Sequence, residues 1–118
     1  MKQNIKEQVT SYEDACKVLG IEPITDFGDA TPDEIAYKKL KTVIKALNEG
    51  WISDYRNSNE KKWYPWFYVS PSGFAFYVAG CGFSLPLAGH AARLCLKDEE
   101  LAAYAGKQFL DLWEGFIL

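Results

Sequence analysis

The chain has 118 residues, a formal net charge of −3 at pH 7, 48% hydrophobic residues and 25% charged residues. These values are typical of one folded domain spanning residues 1–118, and they exclude intrinsic disorder, a collagen-like repeat and a coiled coil. The mild negative charge also argues against attraction of the whole chain to nucleic acid or to an anionic membrane. Aromatic residues are the unusual feature, since Phe, Tyr and Trp make up 15% of the sequence.

The N-terminal sequence and the cysteines indicate the compartment. Residues 1–10 carry no apolar core between their charges, so they do not resemble a secretory signal. No stretch approaches the roughly 20 apolar residues that a membrane span needs. Cys16, Cys81 and Cys95 are odd in number and widely spaced, which does not suit a disulfide framework. The sequence therefore predicts a cytoplasmic protein with reduced thiols and no membrane contact.

Helices are predicted in the N-terminal half. The first covers about residues 11–19 and ends at Gly20. The second begins at residues 31–34, where threonine is the N-cap, proline takes the first helical position and glutamate closes a capping box. Apolar residues then recur at helical spacing until Gly50 ends the helix.

Strands are predicted in the next part of the chain, after a polar connection over residues 51–62. Residues 63–69 and 74–79 are rich in aromatic and β-branched side chains and flank a turn, so they indicate a hairpin. Residues 80–89 contain Gly and Pro and are predicted to form a long loop. The alternation of polar and apolar residues over 93–97 is typical of a half-buried third strand.

The last helix is predicted to open with Asp98, Glu99 and Glu100, which favour the positive end of the helix dipole. Its apolar stripe comprises Leu101, Ala105, Phe109, Leu112 and Phe116. Gly106 lies inside this helix, where glycine costs about 1 kcal/mol relative to alanine, so we expect a neighbour packed closely against it. The order of elements is α-α-β-β-β-α, which predicts an α+β fold: a small three-stranded antiparallel sheet with helices packed on it.

The hairpin register decides which aromatic side chains face the core. A four-residue connection over residues 70–73 sets three pairs of opposing residues. These pairs are Val69 with Phe74, Phe67 with Phe76, and Pro65 with Val78. All six residues are apolar, so this face is predicted to be the core, joined by Leu94 and Leu96.

The opposite face is the candidate binding surface. It is predicted to carry Tyr64, Trp66, Tyr68 and Tyr77, with Arg93 and Lys97 beside them. The polar tips of Tyr and Trp suit a half-wet surface. Five of the eight residues at 63–70 are aromatic, a density with three interpretations: core alone, a docking surface for a protein partner or for a second copy, or a platform on which bases stack.

Catalytic and metal-binding patterns are not evident. Cys81, His90 and Cys95 lack the paired spacing of a structural zinc site, and nothing local indicates an activated thiol. The acidic residues at 98–100 are explained by the helix dipole. Lys38, Lys41 and Lys45 share one face of the second helix, and a solvated surface is the favoured interpretation. We therefore predict no catalytic residues, no metal and no cofactor.

Four segments carry a resemblance to a known family. They are Tyr-Glu-Asp-Ala-Cys at 12–16, Asp-Glu-Ile-Ala-Tyr at 33–37 with Ala-Leu-Asn-Glu-Gly-Trp at 46–51, Tyr-Pro-Trp-Phe at 64–67 with Gly-Phe at 73–74, and residues 93–97 leading into 100–109. In this order they resemble a family of small proteins from gut Bacteroidales genomes, phages and prophages. The resemblance implies one domain in the cytoplasm of a bacterial host cell and carries no assigned activity.

Together these observations predict a non-enzymatic accessory or binding protein that uses the aromatic sheet surface. A protein partner or self-association is the favoured mode of action. Single-stranded nucleic-acid binding on the same surface is the alternative.

Overall fold

The computed structural model describes residues 4–84 and 93–118. Its elements in chain order are α1 Ile5–Gln8, α2 Tyr12–Leu19, α3 Pro32–Leu47, β1 Lys62–Ser70, β2 Gly73–Gly82, α4 Glu99–Gln108 and α5 Leu110–Ile117. Helices packed on an antiparallel sheet make the fold α+β, as predicted. The second half of the predicted loop at 80–89 lies outside the described residues, and residues 80–82 belong to β2 instead of the loop.

Polar side chains cap the helices, and most of these caps are visible in the sequence. Ser11 accepts a hydrogen bond from the Asp14 amide at the start of α2. Asp98 does the same for the Leu101 amide at the start of α4. At α3 the hydroxyl of Thr31 donates to a carboxylate oxygen at 2.8 Å instead of accepting from the backbone. The four-residue helix α1 was not predicted, because one turn gives too few residues for a periodic pattern.

The hairpin register near the turn is confirmed. Val69 pairs with Phe74 and Phe67 pairs with Phe76, while Ser70 also pairs with Gly73. The connection is therefore two residues shorter than predicted, with the same alignment of the strands. Phe67, Phe74 and Phe76 are half-buried, whereas Val69, next to the turn, is exposed and does not join the core.

A β-bulge changes the register further along the hairpin. Trp66 pairs with Val78 and Pro65 with Ala79, so Tyr77 is the extra residue on β2. The predicted pair of Pro65 with Val78 is wrong for this reason. A bulge moves every later residue of its strand by one position. Val78 consequently lies opposite Trp66 and is exposed rather than part of the core.

The predicted third strand over residues 93–97 is reduced to a single bridge. Leu96 exchanges two backbone hydrogen bonds with Trp63, with N···O distances of 3.0 and 2.6 Å. The side chain of Asn48 binds the neighbouring groups, accepting from the Lys97 amide and donating to the Cys95 carbonyl. The buried side chain of Asn48 thus takes the hydrogen bonds that a neighbouring strand would make with residues 95 and 97. Within the described residues the sheet has two strands. Leu94 and Leu96 are buried, as predicted.

The predicted last helix is divided at Phe109, whose φ of −110° and ψ of 32° are not helical. The first part, α4, packs on both strands, and the second part, α5, packs on α3. Gly106 in α4 lies against the sheet: a Cβ added there would be 2.5 Å from a ring carbon of Phe76 and 2.8 Å from the Cβ of Pro65. The expectation of a close neighbour is confirmed.

The N-terminal helix is held by side chains of α4. The hydroxyl of Tyr104 lies 2.8 Å from the carbonyl oxygen of Lys6 and 2.7 Å from that of Val9. The amide of Gln108 donates to the Thr10 carbonyl at 3.0 Å. Lys6 also forms an ion pair with a glutamate at the start of α4. These contacts join two parts of the chain that are more than 90 residues apart.

Candidate functional site

The outer face of the hairpin carries four aromatic side chains, which we call the aromatic face: Tyr64, Trp66, Tyr68 and Tyr77. The rings of Tyr64 and Trp66 lie 6.3 Å apart, and those of Tyr68 and Tyr77 lie 6.2 Å apart. The alternation of side chains along β1 places three of them on this side, and the bulge adds Tyr77 from β2.

Trp66 is fixed in place by its neighbours on the sheet. Its indole lies across Gly80, where an added Cβ would be only 2.6 Å from Nε1. Its ring also lies beside that of Tyr64, with 6.3 Å between the ring centres. Any residue larger than glycine at position 80 would displace the ring. The observed position of the indole therefore depends on glycine at position 80 of the neighbouring strand.

The aromatic face is exposed, whereas the phenylalanines of the other face are packed. Trp66 is 47% exposed, Tyr68 62% and Tyr77 66%. Phe67 is stacked on another ring of the hairpin at 4.9 Å and lies 5.3 Å from the buried ring of Trp113. The division of the hairpin into a Phe face and a Tyr/Trp face follows the sequence prediction.

The two predicted basic residues do not extend this surface. Lys97 forms an ion pair with Glu49, just after α3, with 3.1 Å between nitrogen and oxygen. Arg93, whose φ is +64°, lines a groove beside α3. Their predicted position beside the aromatic face depends on a continuous third strand. Because that strand is only a bridge, the structure brings together the four aromatic residues and separates the two cations from them.

The Tyr64 end of the aromatic face adjoins a buried polar pair. The hydroxyl of Tyr55 lies 2.9 Å from the sulfur of Cys95. Burial raises the pKa of the Cys95 thiol and, with that thiol nearby, raises the pKa of Tyr55. Burial also raises the pKa of Tyr64. These groups stay protonated at neutral pH, so this arrangement does not supply a thiolate nucleophile.

A buried lysine closes the same end of the sheet. The ammonium of Lys62 donates to the carbonyl oxygens of Asn57 at 2.9 Å and Glu60 at 3.0 Å, and lies 3.6 Å from the Glu60 carboxylate. It also lies 5.1 Å from the ring centre of Tyr55. The side chain is completely buried. The charge is satisfied locally, so Lys62 ties the connection before β1 to the strand.

Sequence reasoning missed an open groove of about 790 Å³ beside α3. Its walls are one face of α3, the loop after α2, the connection after α3, and residues 93 and 95. The lining combines exposed isoleucines with four basic residues: Ile21, Ile24, Ile52, Lys38, Lys41, Lys45 and Arg93. The sequence predicts a solvated helix face for these lysines, and Lys38 and Lys45 are exposed. Isolated isoleucines in polar connecting segments were the signal that could have indicated a surface.

In the part of the chain that the structure describes, no group of three or more His, Cys, Asp or Glu side chains is placed to hold a metal ion. His90 lies outside the described residues. None of the helices over residues 4–84 and 93–118 is long and apolar enough to cross a membrane. Cys16, Cys81 and Cys95 are all free, and only Cys81 is exposed.

Comparison with known proteins identifies no relative: no family model, no curated protein and no solved structure matches the chain significantly.

Proposed function

We propose that this chain is a non-enzymatic binding protein that docks a protein partner on the aromatic face, as an accessory protein of the phage- and prophage-related family that it resembles. The observation that carries the proposal is the exposure of Trp66, Tyr68 and Tyr77 on a sheet face where the indole is already held in place. Tyr and Trp are the residues that most often dominate binding energy at protein interfaces.

Side-chain entropy favours docking at this position. A surface side chain normally loses rotamer freedom when a partner covers it, at a cost of about 0.5–1.5 kcal/mol each. The indole of Trp66 already packs against the backbone of Gly80 and beside the ring of Tyr64. Less freedom remains to be lost on binding, so more of the energy of burying the indole contributes to affinity.

The partner that we propose is a second copy of this chain. Two copies related by a two-fold axis can pack their aromatic faces against each other, because the same patch then meets itself. This arrangement buries the exposed rings of Trp66, Tyr68 and Tyr77 of both copies. The three most exposed rings offer on the order of 350 Å² per copy, since an aromatic side chain buries about 150–250 Å² in full. This area is below a standard interface, so the dimer is expected to be weak.

Single-stranded nucleic acid is the alternative occupant. Stacking of bases needs aromatic rings together with cations that follow the phosphates. The ion pair of Lys97 with Glu49 and the position of Arg93 at the groove favour a protein partner over a nucleic acid.

Sedimentation velocity over a concentration series tests the proposal. Wild-type protein should show a rising average mass, and Trp66→Ser and Tyr77→Ser should abolish the rise. Ile117→Ser is the matched control, since Ile117 is an exposed apolar residue outside both the aromatic face and the groove beside α3. Self-association is refuted by a monomer at every concentration up to about 0.5 mM, well above the micromolar range of weak specific dimers. Equal effects of Trp66→Ser and Ile117→Ser would exclude the aromatic face.

A second measurement distinguishes the alternative. Fluorescent oligothymidine is titrated with the protein at low and moderate salt. Steeply salt-dependent binding that Trp66→Ser removes would replace the protein partner by nucleic acid.

We further propose a cytoplasmic location in a bacterial host cell. Three free cysteines, one of them exposed, support a reducing compartment.

A further inference from the structure

The groove beside α3 has an unusual distribution of charge. Its described lining includes Lys38, Lys41, Lys45 and Arg93 and no Asp or Glu. None of these four cations takes part in an ion pair within residues 4–84 and 93–118. The chain as a whole carries a net charge of −3. A local concentration of unneutralised positive charge on an acidic protein selects an anionic occupant.

The cations follow the axis of α3. Lys38, Lys41 and Lys45 are separated by three and four residues, so they lie along one face of the helix. Their Cα atoms extend over roughly 10 Å at 1.5 Å per residue, which matches about two turns of a helix lying alongside. The ammonium of Lys41 lies 4.6 Å from the ring centre of Tyr37, which restrains its position.

Apolar side chains complete the groove. Ile21 and Ile24 come from the loop after α2, and Ile52, 79% exposed, comes from the connection after α3. The loop is anchored, because the Ile24 amide donates to the buried hydroxyl of Tyr12 at 3.1 Å. The isoleucines are therefore presented from a fixed backbone. Trp51, which is half-buried, and the buried Tyr12 also line the groove, but the aliphatic side chains outnumber them. The lining therefore offers a surface for apolar side chains rather than a continuous stacking platform for bases.

We propose that this groove binds an acidic amphipathic helical segment of a partner protein. The apolar stripe of the segment packs on the isoleucines, and its carboxylates pair with the lysines of α3 and with Arg93. This is the helix-in-groove mode of recognition with electrostatic selection of the ligand. The groove shares no residue with the aromatic face, so this binding does not depend on the function proposed above.

Fluorescence anisotropy with synthetic peptides tests this inference on the intact chain. The probe is a labelled peptide of about 18 residues, long enough to form a helix, with Leu at helical spacing and Glu between them. One reference peptide carries Lys in place of Glu, and another has the acidic composition in scrambled order. The acidic amphipathic peptide should bind saturably, more weakly at higher salt, and at least about tenfold more tightly than either reference peptide.

Variants of the groove locate the binding site. Lys38→Glu with Lys45→Glu should weaken peptide binding at least about tenfold. The matched control is Lys17→Glu with Lys107→Glu, which changes the same charge at exposed positions outside the groove. Ile52→Ser should weaken binding about three- to tenfold through lost apolar contact. Trp66→Ser should leave peptide affinity unchanged, and this separates the groove from the aromatic face.

Four outcomes would overturn the inference. They are no saturable binding of the acidic peptide, equal binding of the scrambled or basic peptide, an equal effect of the control charge pair, and tighter binding of labelled oligothymidine than of the peptide. The last outcome would assign the groove to nucleic acid. Circular dichroism melts of each variant establish that a loss of binding is not a loss of folding.

Discussion

Gly106→Ala is expected to destabilise the protein although it improves helix propensity. Glycine in a helix interior costs about 1 kcal/mol relative to alanine, so the substitution would stabilise an exposed helix. In α4, however, the new methyl group would lie 2.5 Å from a ring carbon of Phe76 and 2.8 Å from the Cβ of Pro65. Real Cβ atoms do not approach this closely. The helix must move away from the sheet or the ring must leave its position.

The magnitude follows from these opposing effects. Overpacking of a tight site costs about 1–3 kcal/mol. Phe76 is only half-buried and can rotate, but Pro65 is buried and rigid. We therefore expect a steric cost in the upper part of this range, about 2–3 kcal/mol. After the gain in helix propensity, the net loss in the free energy of unfolding is about 1–2 kcal/mol.

Urea denaturation at equilibrium measures this loss, with Gly115→Ala in α5 as the matched control. A Cβ at position 115 would approach Ala36 at 3.3 Å, a contact that small shifts relieve. The gain in helix propensity should therefore remain, and Gly115→Ala should be as stable as the wild type or more stable by up to about 1 kcal/mol. In a Phe76→Ala background, the cost of Gly106→Ala should fall by about 1 kcal/mol, because one clash is removed. A Gly106→Ala variant as stable as the wild type would refute the packing argument.

Three further outcomes are expected. Phe109→Ala should cost about 3–5 kcal/mol in urea melts because a buried ring is removed, whereas exposed Lys107→Ala should stay within about 0.5 kcal/mol; equal costs would contradict the orientation of α4. Lys62→Met should cost about 2–4 kcal/mol because buried carbonyls lose their donor, and a variant as stable as the wild type would exclude a structural role for the ammonium. Burial raises the pKa of Cys95 and Tyr55 in the folded state. The contribution of these two groups to the free energy of unfolding is therefore fully present below about pH 8.5. It declines as pH rises, because the groups ionise at lower pH in the unfolded chain than in the folded one. Cys95→Ala should flatten this decline in melts between about pH 8 and 10; an unchanged slope would exclude the thiol as its cause.

Local signals in the sequence predicted most of the elements. Ser11 and Asp98 cap helices through side chains that accept hydrogen bonds from amides three residues later. The start of each helix can therefore be predicted from a few neighbouring residues. The same holds for the hairpin, where turn residues between two aromatic runs set the pairing of Phe67 with Phe76. The exposed side of the hairpin could be predicted too, because hydroxyl and indole groups favour water more than phenyl rings do.

Errors arose where distant residues determine the structure. Asn48 binds the backbone on both sides of Leu96 from almost 50 residues away, and no local pattern shows that it replaces a strand. The displacement of Arg93 and Lys97 from the aromatic face follows from the same error. The groove was missed because four separate segments form it. The bulge at Tyr77 depends on pairing across the whole hairpin, which the alternation of apolar residues does not specify.

The link from Tyr104 to the first turn of the chain has a consequence for the order of folding. Its hydroxyl bonds to carbonyl groups 95 and 98 residues earlier. Closing a loop of that length costs on the order of 4 kcal/mol in chain entropy, which a few surface contacts cannot offset before the core has formed. We expect α2 and α3, which pack on each other close in sequence, to gather first. During synthesis α1 therefore cannot pack until α4 has left the ribosome. Until then, the buried side of α1 and the backbone carbonyls around it are exposed to proteases and chaperones.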